Sequence, residues 1–214
     1  MHRRELEGSW KADAPPPLPA AVDLSEVQDV ADGVGPFLRR RYRVVVRDPD
    51  RSAADVIREV GGDPDVVAPA TLAHFTKVRG APGALRAGDE FTVRMPGPWD
   101  GPIRVVDVTP TSFRFATLDG HIEAGQIEWR ARDVDERLVF EIESWSRAGD
   151  RASYLLHHRL RMAKEVQLHM WTSVLERVVR RYGGRRDGPL DIETLRTELG
   201  GADADAFGDA DYSS

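Results

Sequence analysis

Cysteine is absent from the 214 residues, and lysine nearly so: Lys11, Lys77 and Lys164 are the three lysines among 30 basic residues. Without a thiol there is no disulfide, no thiolate nucleophile and no sulfur-ligated zinc, a composition suited to a reducing compartment. No segment supplies the apolar core of a secretory signal or the length of a membrane span, so the expectation is a soluble, cytoplasmic chain. A strong charge of either sign is also missing from the body. The net charge is −6, but residues 187–214 hold eight acids against Arg196 alone and so carry −7, leaving the rest close to neutral. The basic runs LRRRYR (38–43) and RVVRRYGGRR (177–186) therefore do not read as a nucleic-acid surface, which needs strong net positive charge. The second run also suits the C-terminus of a helix, where cations meet the macrodipole favourably.

Proline and glycine are missing from residues 152–182, whereas proline, alanine and aspartate are abundant before residue 36. The first 36 residues, with PPPLP at 15–19, read as a flexible proline-rich arm. Tyr42, Val44 and Val46 alternate with Arg43, Val45 and Arg47, which predicts a strand over 40–48. Ser52 before AADVIREVGG predicts an N-capped helix ending on Gly61-Gly62, and a second short helix is expected near 69–77. From residue 89, Phe91/Val93/Met95, Ile103/Val105, Phe113/Phe115, Ile127/Trp129 and Leu138/Phe140/Ile142 alternate between turn signals. Five closely spaced strands with short connections make an antiparallel meander. Its apolar face needs a cover. Residues 152–182 supply one, a helix of roughly 46 Å at 1.5 Å per residue, with Leu156, Leu160, Ala163, Met170, Trp171, Val174 and Val178 on one side. The organisation expected is an arm (1–36), a domain (37–184) and an acidic, largely disordered tail (185–214), in which PLDIETLRTEL (189–199) is compatible with a short helix.

This order resembles the helix-grip fold of the START-like (SRPBCC) superfamily, which includes polyketide cyclases and plant pathogenesis-related proteins. The fold class implied is α+β, a curved antiparallel sheet of about six strands wrapped on a long C-terminal helix. More narrowly, FRFATLDGHIEAGQIEW (113–129), LVFEIESWSRAGD (138–150) and the Arg-rich helix look like an uncharacterised bacterial domain family, common in actinobacteria, with a T-L-x-G-H-x-x-x-G turn. Thr117, Leu118, Gly120, His121, Gly125, Ser146 and Arg147 carry the resemblance, which spans about 40–184. No activity comes with that family. The superfamily implies a cavity between sheet and helix that holds apolar molecules.

His121 and Glu123, at i and i+2, point to one side of an extended chain and could share a proton or a metal. Equally, Asp119-Gly120 is a hairpin turn whose edge His121 would tie by a hydrogen bond to backbone. No third ligand is spaced beside the pair, so no metal and no cofactor are expected. His157-His158 do not converge, and Glu165/His169 form an ordinary i,i+4 pair. Trp99 in PGPWDGP is a loop anchor or a lid. Gln167 falls near the centre of the apolar helical stripe and needs a polar partner, either in the sheet or on a ligand.

The function expected is binding of an apolar or lipid-like small molecule against Phe91, Phe113, Phe115, Trp129, Phe140, Gln167, Met170 and Trp171. The alternatives are an interaction scaffold, using the arm or the tail on a protein partner, and a cyclase- or hydrolase-type enzyme. In the enzyme His121 is acid or base, and Glu123 or Arg114 orients a carbonyl.

Overall fold

The computed structural model describes residues 1–95, 100–149 and 157–199, with side chains of the final helix described from Val166 onward. Trp99, Leu156 and the last 15 residues lie outside these, as do the side chains of His157, His158 and Glu165. The protein is a mostly sheet α+β fold with a helix in its C-terminal part. Alternation forms the strands as expected from residue 89 onward: β4 (Glu90–Arg94), β5 (Asp100–Thr109), β6 (Ser112–Thr117), β7 (Glu123–Val134) and β8 (Arg137–Ala148) are successive antiparallel neighbours. The earlier strand β2 (Val34–Arg47) pairs antiparallel with β8 along its length. Helix α2 (Ala53–Gly62) starts where Ser52 accepts the Asp55 N–H, and the Asp133 carboxylate takes the Ala53 N–H at 3.0 Å.

Four strands exceed the six expected. β3 (His74–Arg79) occupies part of the place of the second short helix expected near 69–77, and a 3-10 turn over Pro64–Val66 precedes it; His-Phe-Thr-Lys-Val-Arg has the β-rich composition that pairs with β4. The other three come from the termini. β10 (Asp191–Thr197) pairs antiparallel with β2, β1 (His2–Glu7) pairs parallel with β10, and β9 (Arg185–Arg186) pairs with the end of β2. The tail segment expected as a helix is thus a strand, with Ile192 buried. Leu195 and Leu199, four apart, suit a helix, but Leu190 and Ile192 keep the two-residue period that a strand buries. Among the described residues the order is β1-β10-β2-β8-β7-β6-β5-β4-β3, with β9 off this path beside β2.

Helix α3 spans His157–Arg181, 25 residues rather than the 31 expected from 152–182. Its Met170, Trp171, Val174, Leu175 and Val178 pack with α2 on the inner face of the sheet. The N-terminal arm, expected to be loose, lies on the outer face instead. There Leu18 and Val22 cover Val106 and Ala116, while Trp10, in the one-turn helix α1 (Trp10–Asp13), meets Phe37 edge-on at 5.0 Å. No helix among the described residues is long and apolar enough to cross a membrane.

Candidate functional site

The signature turn is built from its letters. Gly120 has φ +90° and Gly125 φ +149°, the latter with the Trp145 carbonyl so near that any Cβ would lie 2.0 Å from it; both positions need glycine. Thr117 Oγ1 donates to the Gln28 carbonyl and accepts the Gly125 N–H, both at 2.9 Å. Gln28, on the arm, reaches back with its amide to the carbonyls of His121 (3.1 Å) and Glu123 (3.2 Å). Arg147 donates to the carbonyl of Gly35 at 3.0 Å. Arm and turn therefore fix each other.

His121 serves that turn. Its Nδ1 lies 2.9 Å from the Glu123 backbone nitrogen and 3.0 Å from the Glu123 carbonyl oxygen. Its Nε2 sits against Gly101, where a Cβ would approach to 2.8 Å. Burial holds its pKa below the usual 6.5, outweighing the Glu123 charge. The ring engages the Glu123 backbone, and the Glu123 carboxylate turns elsewhere, so the two side chains do not form a proton-sharing pair. No three His, Asp or Glu side chains converge to hold a metal among the described residues.

What the turn delivers is the Glu123 carboxylate, on the inner face near α3. Oε2 accepts from Gln167 Nε2 at 3.1 Å, and Oε1 lies 3.4 Å from both Ser146 Oγ and Arg40 Nη1. Arg40 Nη1 donates to Gln167 Oε1 at 2.6 Å. Arg40, 6% exposed, thus closes a triangle with the two residues expected to matter. Sequence reasoning missed it, although two-residue alternation extended back from Tyr42 places Arg40 inward and Arg39 and Arg41 outward.

Beside this triangle is a recess of about 40 Å³ between α3 and the terminal strands. β1 contributes Arg3 and Glu5, β2 Arg40 and Tyr42, β10 Ile192 and Thr194, and α3 Leu168. Burial pushes the Tyr42 hydroxyl up to about 12, so it stays protonated. The aromatic wall expected to line a cavity is close-packed. Trp129 stacks on Phe113 at 5.6 Å and meets Trp171 edge-on at 5.6 Å and Phe140 at 6.2 Å, and Phe115 meets Phe91 at 5.7 Å. These rings and Met170 form core. Arg114 faces the opposite way, under the arm, and donates to the Pro17 carbonyl at 3.2 Å. Phe113 and Phe115 point inward, so period two turns Arg114 away from His121. In the first basic run, Arg39 pairs with Glu143 (2.6 Å) and Asp13 (2.8 Å), and Arg41 with Glu193 at 3.0 Å.

Residues 70–183 match the family model described as domain of unknown function DUF1990. No curated protein matches the chain. Among solved structures, it is similar to a hypothetical protein from Helicobacter pylori (12% identity, covering 67% of this chain and 86% of that one, TM-score 0.49). It is also similar to norcoclaurine synthase from Thalictrum flavum in complex with dopamine and hydroxybenzaldehyde (8%, 73% and 93%, 0.48), and to protein Ms6760 from Mycobacterium smegmatis (16%, 73% and 96%, 0.42).

Proposed function

The chain belongs to the DUF1990 family of unknown function, and we propose that it binds a small amphipathic molecule at the polar pole of its inner face, between α3 and the sheet. The observation that carries this is the Arg40–Gln167–Glu123 triangle, held by hydrogen bonds from β2, α3 and β7 beside the apolar surfaces of Tyr42, Leu168 and Ile192. A few fixed polar groups on apolar walls are what orients a small ligand. The site is shifted from the aromatic wall, whose rings occupy one another, to the end of the core where Gln167 sits.

The enzyme reading is less favoured because His121 Nδ1 is engaged with the Glu123 backbone, apart from the Glu123 carboxylate, and the ring packs against Gly101. The scaffold reading is less favoured because the arm and the first part of the tail are already spent on this chain's own sheet.

Native mass spectrometry of the full chain, purified without detergent, tests the proposal. The expected result is a bound small molecule that extraction recovers and that Thr194→Phe, which fills the recess, excludes. A bare polypeptide mass, or equal retention in Thr194→Phe, would overturn it.

A further inference from the structure

We infer that the polar end of this ligand is a carboxylate, seated by the guanidinium of Arg40 and the hydroxyl of Tyr42 in a recess that the strands from the two termini complete. The inference rests on the small-molecule reading above and adds the ligand's chemical class. A guanidinium has five N–H donors. In Arg40, Nη1 serves Gln167 and Glu123, whereas Nε and Nη2 take no hydrogen bond among the described residues, although the residue is 6% exposed. Tyr42 is 3% exposed, and its hydroxyl likewise takes none. Both residues line the same recess. Donors of two buried residues that reach one recess without an acceptor among the described residues mark a place where an acceptor belongs.

Glu123 does not compete for that role, since its two oxygens already meet Gln167, Ser146 and Arg40 Nη1. Arg3 and Glu5, both from β1, bring opposite charges and leave the choice of ligand to Arg40 and Tyr42. The remaining edge of a guanidinium and a nearby phenol present donors to a planar group with two acceptor oxygens, the geometry of a carboxylate. Size agrees. A recess of about 40 Å³ holds about three waters, at roughly 10–15 Å³ each on this measure, or the three heavy atoms of one carboxylate. A tetrahedral phosphate is larger.

Of the recess residues, Leu168 alone lies within 70–183, the part that matches the family. Arg3, Arg40, Tyr42 and Thr194 all lie outside it. The head-group preference is therefore a property of the segments flanking the family match.

Titration calorimetry on the full chain with octanoate, octyl phosphate and octanol tests this. Octanoate is expected to bind at least about tenfold tighter than either other probe. Tyr42→Phe, which keeps the ring and removes only the donor, should weaken octanoate several-fold without changing octanol binding or the melting temperature. Arg40→Gln should abolish the preference. Equal affinity for octanoate and octanol, tighter binding of octyl phosphate, or an unaffected Tyr42→Phe would each overturn the carboxylate assignment. If no probe binds while a small molecule still co-purifies, the carboxylate assignment falls and the small-molecule reading stands. If no probe binds and the protein is bare, both fall.

Discussion

The two faces of the sheet are both covered, yet they are written in different residues. On the inner face Trp129 touches the rings of Phe75, Phe113, Phe140 and Trp171, and the cover is helical. On the outer face the buried side chains include Arg104 and Glu143, 1% exposed, with Glu141 at 4% and Arg114 at 6%. The cover there is an irregular arm. A helix satisfies its own backbone, so the surface beneath it can be purely apolar. An irregular segment brings carbonyls that need donors, and burying them unpaired is costly. The outer face supplies those donors from long side chains: Arg104 to Asp23, Arg114 to Pro17, Gln126 to Pro16 and Arg147 to Gly35, each to a backbone carbonyl. The arginine surplus of the sequence is spent partly on holding down an arm.

The contrast is sharpest where each face is cut at its centre. Trp129→Ala removes the ring at the middle of the inner cluster and should cost about 4 kcal/mol, read as a loss of unfolding free energy in urea. A cost under about 1 kcal/mol would mean that the cluster repacks and that the inner face is not the rigid one. Arg104→Ala is the matching cut outside. It takes from Glu90, 15% exposed, its buried guanidinium, leaving Arg79 alone at 3.1 Å, and frees the Asp23 carbonyl; about 3 kcal/mol is expected from breaking a buried pair. The arm should then become cleavable by protease between residues 15 and 30 while β4–β8 stay protected. Uniform protection would show that Leu18 and Val22 alone hold the arm.

Legibility followed the same division. The strands from residue 89 to 148 were readable because their inward residues are apolar and alternate, and α2 because Ser52 and the glycine stop mark its ends. Three terminal strands were not. β1, His-Arg-Arg-Glu-Leu-Glu, is exposed along its whole length and pairs through backbone and polar side chains such as His2 with Asp191 and Arg4 with Glu193, so no hydrophobic period betrays it. β10 was obscured by the helix-like spacing of Leu195 and Leu199. Of the candidate residues, Gln167 was legible as a polar side chain in an apolar stripe, and Glu123 as the i+2 neighbour of His121, but not that the two would meet. Arg40 was hidden among identical letters, since LRRRYR shows which residues are basic but not which face each takes.

Gln167 tests the polar end of the inner face. It donates to Glu123 and accepts from Arg40, so Gln167→Leu leaves two charged groups short of a partner. A loss of about 2 kcal/mol is expected from groups left unsatisfied, measured by urea unfolding. Greater stability in the variant would show that the triangle is strained in favour of the ligand rather than built for the fold.

The smallest effect is a pH dependence at the signature turn, where the inner and outer covers meet. His121 has a folded pKa below 6.5 because burial disfavours its charged form more than Glu123 favours it. The neutral ring therefore stabilises the fold fully above pH 6.5. As the pH falls below that value the unfolded chain takes up a proton that the folded chain refuses, and stability declines until the pH passes the lowered folded value. One such proton gives a slope of at most about 1.4 kcal/mol per pH unit. His121→Asn keeps an acceptor near the Glu123 N–H but does not titrate. Urea unfolding at pH 7.0, 6.0 and 5.5 should show wild type losing ground to the variant as the pH drops, before ordinary carboxylates protonate. Parallel curves would mean that the ring takes up its proton as readily in the turn as in water, and that the His121 contact with the Glu123 backbone does not depend on the neutral form.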